Sequence, residues 1–256
     1  MRRVVFNQKG GVGKTTIACN LAAISALNGD KTLLVDLDPQ GNTTQYVKGL
    51  NGREFKTTLV DLFEDSLYSL FSRKRSPQEF IHETSFENLD VMPSHIGLFE
   101  MELKLESRYK MFKVKEALDA LKNEYVFIYM DTPPALNFYT RSALIAADTC
   151  LIPFDCDTFS RNALYSIMES LQEIKNDHNP ELEVEGIVVN QFQSRANFPR
   201  KIVEELQAEG LPMLETYLSS SVKIRESRNK SKPMVYLAPK HKLAIEFQAL
   251  YDRLNS

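Results

Sequence analysis

Gln8-Lys9-Gly10-Gly11-Val12-Gly13-Lys14-Thr15-Thr16 is the stretch that decides the fold of this chain. It follows an apolar run, Val4-Val5-Phe6, and opens a helical stretch at residues 15–28 that stops at Gly29. A glycine-rich turn between strand and helix lets backbone N–H groups curl around phosphate oxygens, and the helix N-terminus adds a partial positive charge. Read this way, Gly10, Gly11, Val12, Gly13 and Thr16 shape the cradle, Lys14 reaches the β and γ phosphates, and the Thr15 hydroxyl ligates Mg²⁺. The ordinary template puts a glycine five positions before Gly13. Gln8 stands there instead, and an additional lysine, Lys9, follows it. A glycine-rich turn with incidental lysines is the plainer reading; the strand before and the helix after argue against it.

Working outward, short runs rich in β-branched residues alternate with longer helical patterns. Strands are expected at residues 3–7, 32–36, 89–92, 126–131, 149–153, 184–190 and 214–218, and further helices at 160–175 and 199–208. Several strands are apolar almost throughout, as in Val126-Phe127-Ile128-Tyr129-Met130, which suits strands covered on both faces. The alternation predicts a doubly wound α/β fold: a mostly parallel sheet with helices on both faces and right-handed crossovers. Residues 1–256 read as a single phosphate-loop domain. Residues 49–86, with Asn51-Gly52, Arg73-Lys74-Arg75 and Ser76-Pro77, read as a variable surface excursion whose basic triplet is a solvated loop.

Two acidic positions extend the pattern. Leu33-Leu34-Val35-Asp36-Leu37-Asp38-Pro39-Gln40-Gly41-Asn42 puts Asp36 and Asp38 at the carboxyl edge of the second strand, where ligands of open α/β sheets bind. Alternation turns both carboxylates to one side, suited to orienting water or holding hydrated Mg²⁺. Phe127-Ile128-Tyr129-Met130-Asp131 is a second apolar strand ending in a carboxylate, a place for Asp131 beside Mg²⁺ through water. A strand-end Asp also serves simply to cap the next helix.

Lys-Gly-Gly-Val-Gly-Lys-Thr-Thr at residues 9–16, followed by Asp-x-Asp-Pro-Gln-Gly-Asn and the strand ending at Asp131, resembles the ParA/MinD family of deviant phosphate-loop ATPases. The resemblance covers most of the chain and is weakest at 49–86. It implies ATP and Mg²⁺ as ligands and a homodimer when ATP-bound, with Lys9 as the signature lysine that crosses to the partner's nucleotide. By the same resemblance Asp38 orients the attacking water and Asp36 supports the metal site. Lys9, Lys14 and Asp38 are then the catalytic set. Asn190 falls where relatives read adenine, and its amide offers donor and acceptor together; a turn or capping role is the alternative. Leu218 and Ser219 would line the base.

The 256 residues carry 31 Lys/Arg against 34 Asp/Glu, a net charge of −3 that hides an asymmetry. Residues 195–242 hold ten Lys/Arg and five Glu, so a basic stretch sits on an acidic body. Such a patch can bind phosphate backbones without reading sequence. Partitioning members of the family bind DNA nonspecifically through this region, which points to Arg195 and Lys223, with Arg225, Arg228 and Lys230 extending the surface; a solvated basic loop is the alternative. The resemblance thus implies an ATP-switched positioning protein, cytoplasmic and nucleoid-associated, with a cargo-linked adaptor that stimulates hydrolysis. No helix-turn-helix precedes the loop, so operator recognition is not expected.

Two other readings compete. A MinD-like membrane protein would carry a basic amphipathic C-terminal helix, whereas the stripe Leu243, Ile245, Phe247, Leu250, Tyr251, Leu254 has one cation, Arg253, and reads as a helix packed on the sheet, so membrane binding is not expected. A metabolic enzyme on the same scaffold would need further chemistry. Cys19, Cys150 and Cys156 are odd in number with no Cys-x-x-Cys pair, and His82, His95, His178 and His241 lack metal spacing.

Overall fold

Strand Phe127–Asp131 explains the layering, because its residues alternate between two apolar clusters: Ile128 and Met130 join one, Tyr129 the other. The computed structural model describes residues 1–48, 55–68, 75–156, 160–192 and 197–256. Within them the strands are β1 (Arg2–Val5), β2 (Thr32–Asp36), β3 (His82–Glu83), β4 (Leu89–Met92), β5 (Phe127–Asp131), β6 (Thr149–Asp155), β7 (Glu183–Phe192) and β8 (Met213–Ser219). They form one sheet in the order β3-β4-β2-β5-β1-β6-β7-β8, parallel throughout except for β3 against β4. The same two-residue alternation holds elsewhere, with Val4, Leu33 and Val35 on one face and Val5, Leu34 and Leu151 on the other.

Helices cover both faces. α1 (Lys14–Leu27) and α2 (Asn42–Lys48) lie on one side. α3 (Leu59–Tyr68), α4 (Leu98–Ser107), α5 (Lys113–Ala120), α6 (Phe138–Ala146), α7 (Ser160–Asp177) and α8 (Asn197–Ala208) cover the other. α9 (Lys223–Asn229), α10 (Met234–Leu237) and α11 (Lys242–Leu254) return to the first side. This is the doubly wound fold expected from the alternation. The chain leaves β1 toward β2 and β4 on one side, then inserts β5 beside β1 and continues through β6, β7 and β8 on the other, so the reversal of strand order, where such sheets bind ligands, lies at β1 and β5.

Some boundaries move. β1 ends at Val5 and leaves Asn7 in the loop, while β6 and β7 run on to Asp155 and Phe192. β3 was not anticipated; two residues of edge strand carry no readable alternation. The larger difference lies within 49–86. Its described part is not all surface: α3 sets Leu59, Phe63 and Leu67 on one helical stripe, and these pack with Phe80 in the core. Arg75, from the basic triplet, bridges Asp61 and Asp65 instead of standing free in solvent; Arg73 and Lys74 lie outside the described residues. α11 buries Leu243, Phe247, Leu250, Tyr251 and Leu254 against α1 and β8, while Ile245 of the expected stripe faces outward.

Candidate functional site

The strand register assembles the site. β2 and β5 pair with Asp36 opposite Asp131, and β1 pairs with β5 so that Val5 also meets Asp131. Two carboxylates and the start of the glycine-rich loop are thereby brought level at one sheet edge. Neither contact is local in sequence.

Loop 6–13 leaves β1 and is held from below by side chains. Asn7 accepts from the Lys9 N–H at 2.8 Å and donates to the Pro153 carbonyl at 2.7 Å. Asn190 Nδ2 donates to the Val12 carbonyl at 2.8 Å, and Gln191 Nε2 donates to the Gly11 carbonyl at 2.9 Å. Gly13 begins α1 with φ +96°, a left-handed conformation open to glycine. A Cβ there would also overlap Asn190 Nδ2, so glycine is required twice over. No acidic residue occupies the first turn of α1, which leaves its N–H groups for an anion.

Lys14 is buried, and desolvation lowers its pKa against the pull of Asp131 and Asp38. Its ammonium donates to the Lys9 carbonyl at 3.0 Å. Lys9 turns outward, its Nζ 2.7 Å from Asp155 at the end of β6. Asp131 Oδ2 accepts from Thr15 Oγ1 at 2.6 Å and from Thr43 Oγ1 at 2.7 Å. Asp131 Oδ1 is buried and finds no hydrogen-bond partner among the described residues. Asp36 accepts from the Thr44 N–H at 2.7 Å and from Thr44 Oγ1 at 2.6 Å. Burial raises the pKa of both Asp36 and Asp131; the Asp131 charge raises it further at Asp36, and the Asp38 charge raises it further at Asp131. A cation beside them would relieve that penalty. Asp38 accepts from the Gln40 N–H at 3.0 Å, and its own carbonyl accepts from Ser94 Oγ at 2.6 Å.

These groups border a cavity of about 440 Å³ lined by Gly10, Gly11, Gly13, Lys14, Thr15 and Thr16 on one wall, with Asp38, Gln40, Tyr46 and Thr132 nearby. The expected loop, Asp36, Asp38 and Asp131 therefore converge. Asn190 braces the loop through its bond to the Val12 carbonyl. Leu218 is buried in the core, and Ser219 gives its N–H and hydroxyl to Glu246, so neither lines the cavity among the described residues. Of the basic set, Arg195 lies outside the described residues. Lys223 and Lys230 both pair with Glu226, at 2.6 and 2.8 Å, Arg225 is exposed, and Arg228 with Asn229 lines the cavity. Sequence reading missed Asn7, Thr43, Thr44, Ser94, Gln191 and Asp155. The two threonines had a signal, since they directly follow Asp-Pro-Gln-Gly-Asn.

The family model AAA_31, an AAA domain, matches residues 3–184. The chromosome partitioning protein ParA of Myxococcus xanthus is 35% identical over 248 residues, 96% of this chain and 84% of that one. The chain belongs to the ParA/MinD family. Among solved structures, an ATP complex of Cyanothece McdA superposes with a TM-score of 0.85 at 22% identity, covering 99% of this chain and 96% of the other. Cobyrinic acid a,c-diamide synthase from Mycobacterium smegmatis, with an ATP analogue and magnesium, does so at 0.81 and 25% identity, covering 98% and 92%. The ParA/MinD scaffold is thus shared with a biosynthetic enzyme. Among its described residues no helix is long and apolar enough to cross a membrane.

Proposed function

We propose that this ParA-family protein is a Mg²⁺-dependent ATPase that dimerises with ATP, binds DNA without reading sequence, and positions a plasmid, chromosome or protein assembly through an adaptor that stimulates hydrolysis. The observation that carries the reading is the convergence of a glycine-rich cradle with three strand-edge aspartates, one of which has a buried oxygen with no partner among the described residues. Among the described residues no three His, Cys, Asp or Glu side chains form an ion cage. That suits Mg²⁺, which keeps several waters and is held through one or two protein groups plus substrate phosphates. Thr15 and Asp131 would hold it, with Asp36 behind them. Bound there, Mg²⁺ offsets charge developing on the phosphates.

The remaining steps belong to the chain's own groups. Loop N–H groups and Lys14 bind the phosphates, with Lys14 already desolvated and charged against Asp131 and Asp38. Asp38 orients the attacking water. Lys9, released from Asp155, reaches the nucleotide of the partner subunit and adds positive charge in trans, as an arginine finger does. The apolar stripe of α11 is buried in packing, which favours DNA over a lipid surface as the second partner.

A DNA mobility assay with and without ATP, repeated across salt, tests this reading. Retardation that requires ATP and weakens steeply with salt supports it, because each neutralised phosphate adds a slope of about −0.9 in log affinity against log salt. Absent or ATP-independent binding overturns it.

A further inference from the structure

Among the described residues of the basic set, Arg228 is the one that lines the cavity. Its helix is held there by a buried polar network. Tyr46 Oη and Ser227 Oγ lie 2.6 Å apart, Ser227 Oγ donates to the Lys232 carbonyl at 2.6 Å, and Asn20 Nδ2 donates to Tyr46 Oη at 3.3 Å. Asn20 Nδ2 also donates to the Thr16 carbonyl at 2.8 Å, and Asn20 Oδ1 accepts from the Met234 N–H at 2.7 Å. Asn20, Tyr46, Ser227 and Met234 are all buried. The phosphate-loop helix, α2 and α9 are thus locked together, and the residue after Ser227 lines the same cavity as Gly10, Gly11 and residues 13–16.

The charge on α9 is divided between its faces. Lys223, Glu226 and Lys230 share one helical face as a closed ion-pair triplet. Arg228 lies two residues from Glu226, about 200° around the helix. Among the described residues no carboxylate or carbonyl pairs with it. The cavity already offers Lys14 and a helix N-terminus to an anion, and a guanidinium presents donors in a planar fork that matches phosphate oxygens.

We propose that Arg228 binds a phosphate group of the nucleoside di- or triphosphate in this cavity, so that α9 contributes to the nucleotide site and not solely to a DNA surface. The inference rests on the ATP-site reading above and adds a residue to it. Arg228 reaches the phosphates from α9 while the loop holds them from α1, with Asn229 lining the cavity beside it. Nucleotide is then gripped between α1 and α9, two helices whose relative position the Asn20–Tyr46–Ser227 network sets.

The test is the affinity of the full chain for fluorescent ATP and ADP with Mg²⁺, and the concentration of inorganic tripolyphosphate that displaces them. Arg228→Ala, Arg228→Lys, Lys14→Ala and the distant surface variant Lys240→Ala are compared with wild type. Arg228→Ala is expected to weaken both nucleotides and tripolyphosphate by about 10- to 100-fold, the range of a hydrogen bond to a charged group. Arg228→Lys should lose less, and Lys240→Ala nothing. The thermal midpoint of ligand-free Arg228→Ala should match wild type, since the side chain is exposed and pairs with no carboxylate or carbonyl among the described residues. Affinities within twofold of wild type in Arg228→Ala, while Lys14→Ala loses binding, overturn the inference and leave the ATP site standing. Weaker nucleotide binding with unchanged tripolyphosphate displacement also overturns it, by moving the contact to sugar or base. Unchanged binding in Lys14→Ala removes the ATP-site reading and this inference with it.

Discussion

Gly13→Ala probes the loop most sharply, because two independent costs meet at one atom. The backbone has φ +96° and ψ 17°, a region where an L residue costs about 1–2 kcal/mol. The new Cβ would also displace the Asn190 amide from the Val12 carbonyl, now 2.8 Å away. Losing that hydrogen bond adds about 1 kcal/mol, for a total of about 2–3 kcal/mol. At about 2–4 °C per kcal/mol for a domain of this size, the midpoint should fall by about 5–10 °C. The assay is thermal and urea unfolding without nucleotide, run as a double-mutant cycle with Asn190→Ala. Once Asn190 is truncated the overlap disappears, so Gly13→Ala should then cost about 1–2 kcal/mol, the backbone part alone. An equal cost in both backgrounds would refute the steric argument; a cost below about 0.5 kcal/mol in the wild-type background would refute the backbone one.

Other positions test other parts of the account. Phe63→Ala, in the segment whose sequence suggests a surface excursion, should lower stability by about 3–5 kcal/mol by urea unfolding, because its ring is fully buried against Phe138 and Tyr139. Arg3 is buried with Glu185 and Tyr129 and reaches the Leu254 carbonyl, tying β1 and β7 to the end of α11. Arg3→Ala should cost about 3–5 kcal/mol, since it leaves Glu185 without its charge partner. Asp155→Asn should remove one ion pair from Lys9 and raise the ATP-bound dimer fraction, read by sedimentation velocity. A half-exposed pair contributes up to about 1 kcal/mol, so the dimerisation constant should rise by no more than about fivefold. An unchanged constant would mean that Asp155 does not compete for Lys9.

The glycine-rich loop and its flanking strand and helix were legible because each carries its own local signal: φ-permissive glycines, a β-branched run, a helix stop at Gly29. Asp36, Asp38 and Asp131 were legible for the same reason, each at or just past the end of an apolar run. The pairing of Asp36 with Asp131 was not, because β5 inserts between β1 and β2 from nearly a hundred residues away. Arg228 shows the limit of charge counting. It was grouped with Lys223, Arg225 and Lys230 by composition, and only the contact of Ser227 with Tyr46 shows which way the helix is turned. The stripe Leu59, Phe63, Leu67 had helical spacing, but the glycine, proline and basic residues around it diluted the pattern.

ATP turnover measured beside ATP affinity in Asp38→Ala tests the central claim most directly. The carboxylate of Asp38 faces the cavity without holding the loop, so affinity should stay within a few-fold of wild type. Hydrolysis should fall by about 100-fold or more, as when a positioned proton-handling group is removed, and the ATP-bound dimer should accumulate. Turnover at the wild-type rate in Asp38→Ala would contradict the assignment of this cavity as the site of ATP hydrolysis.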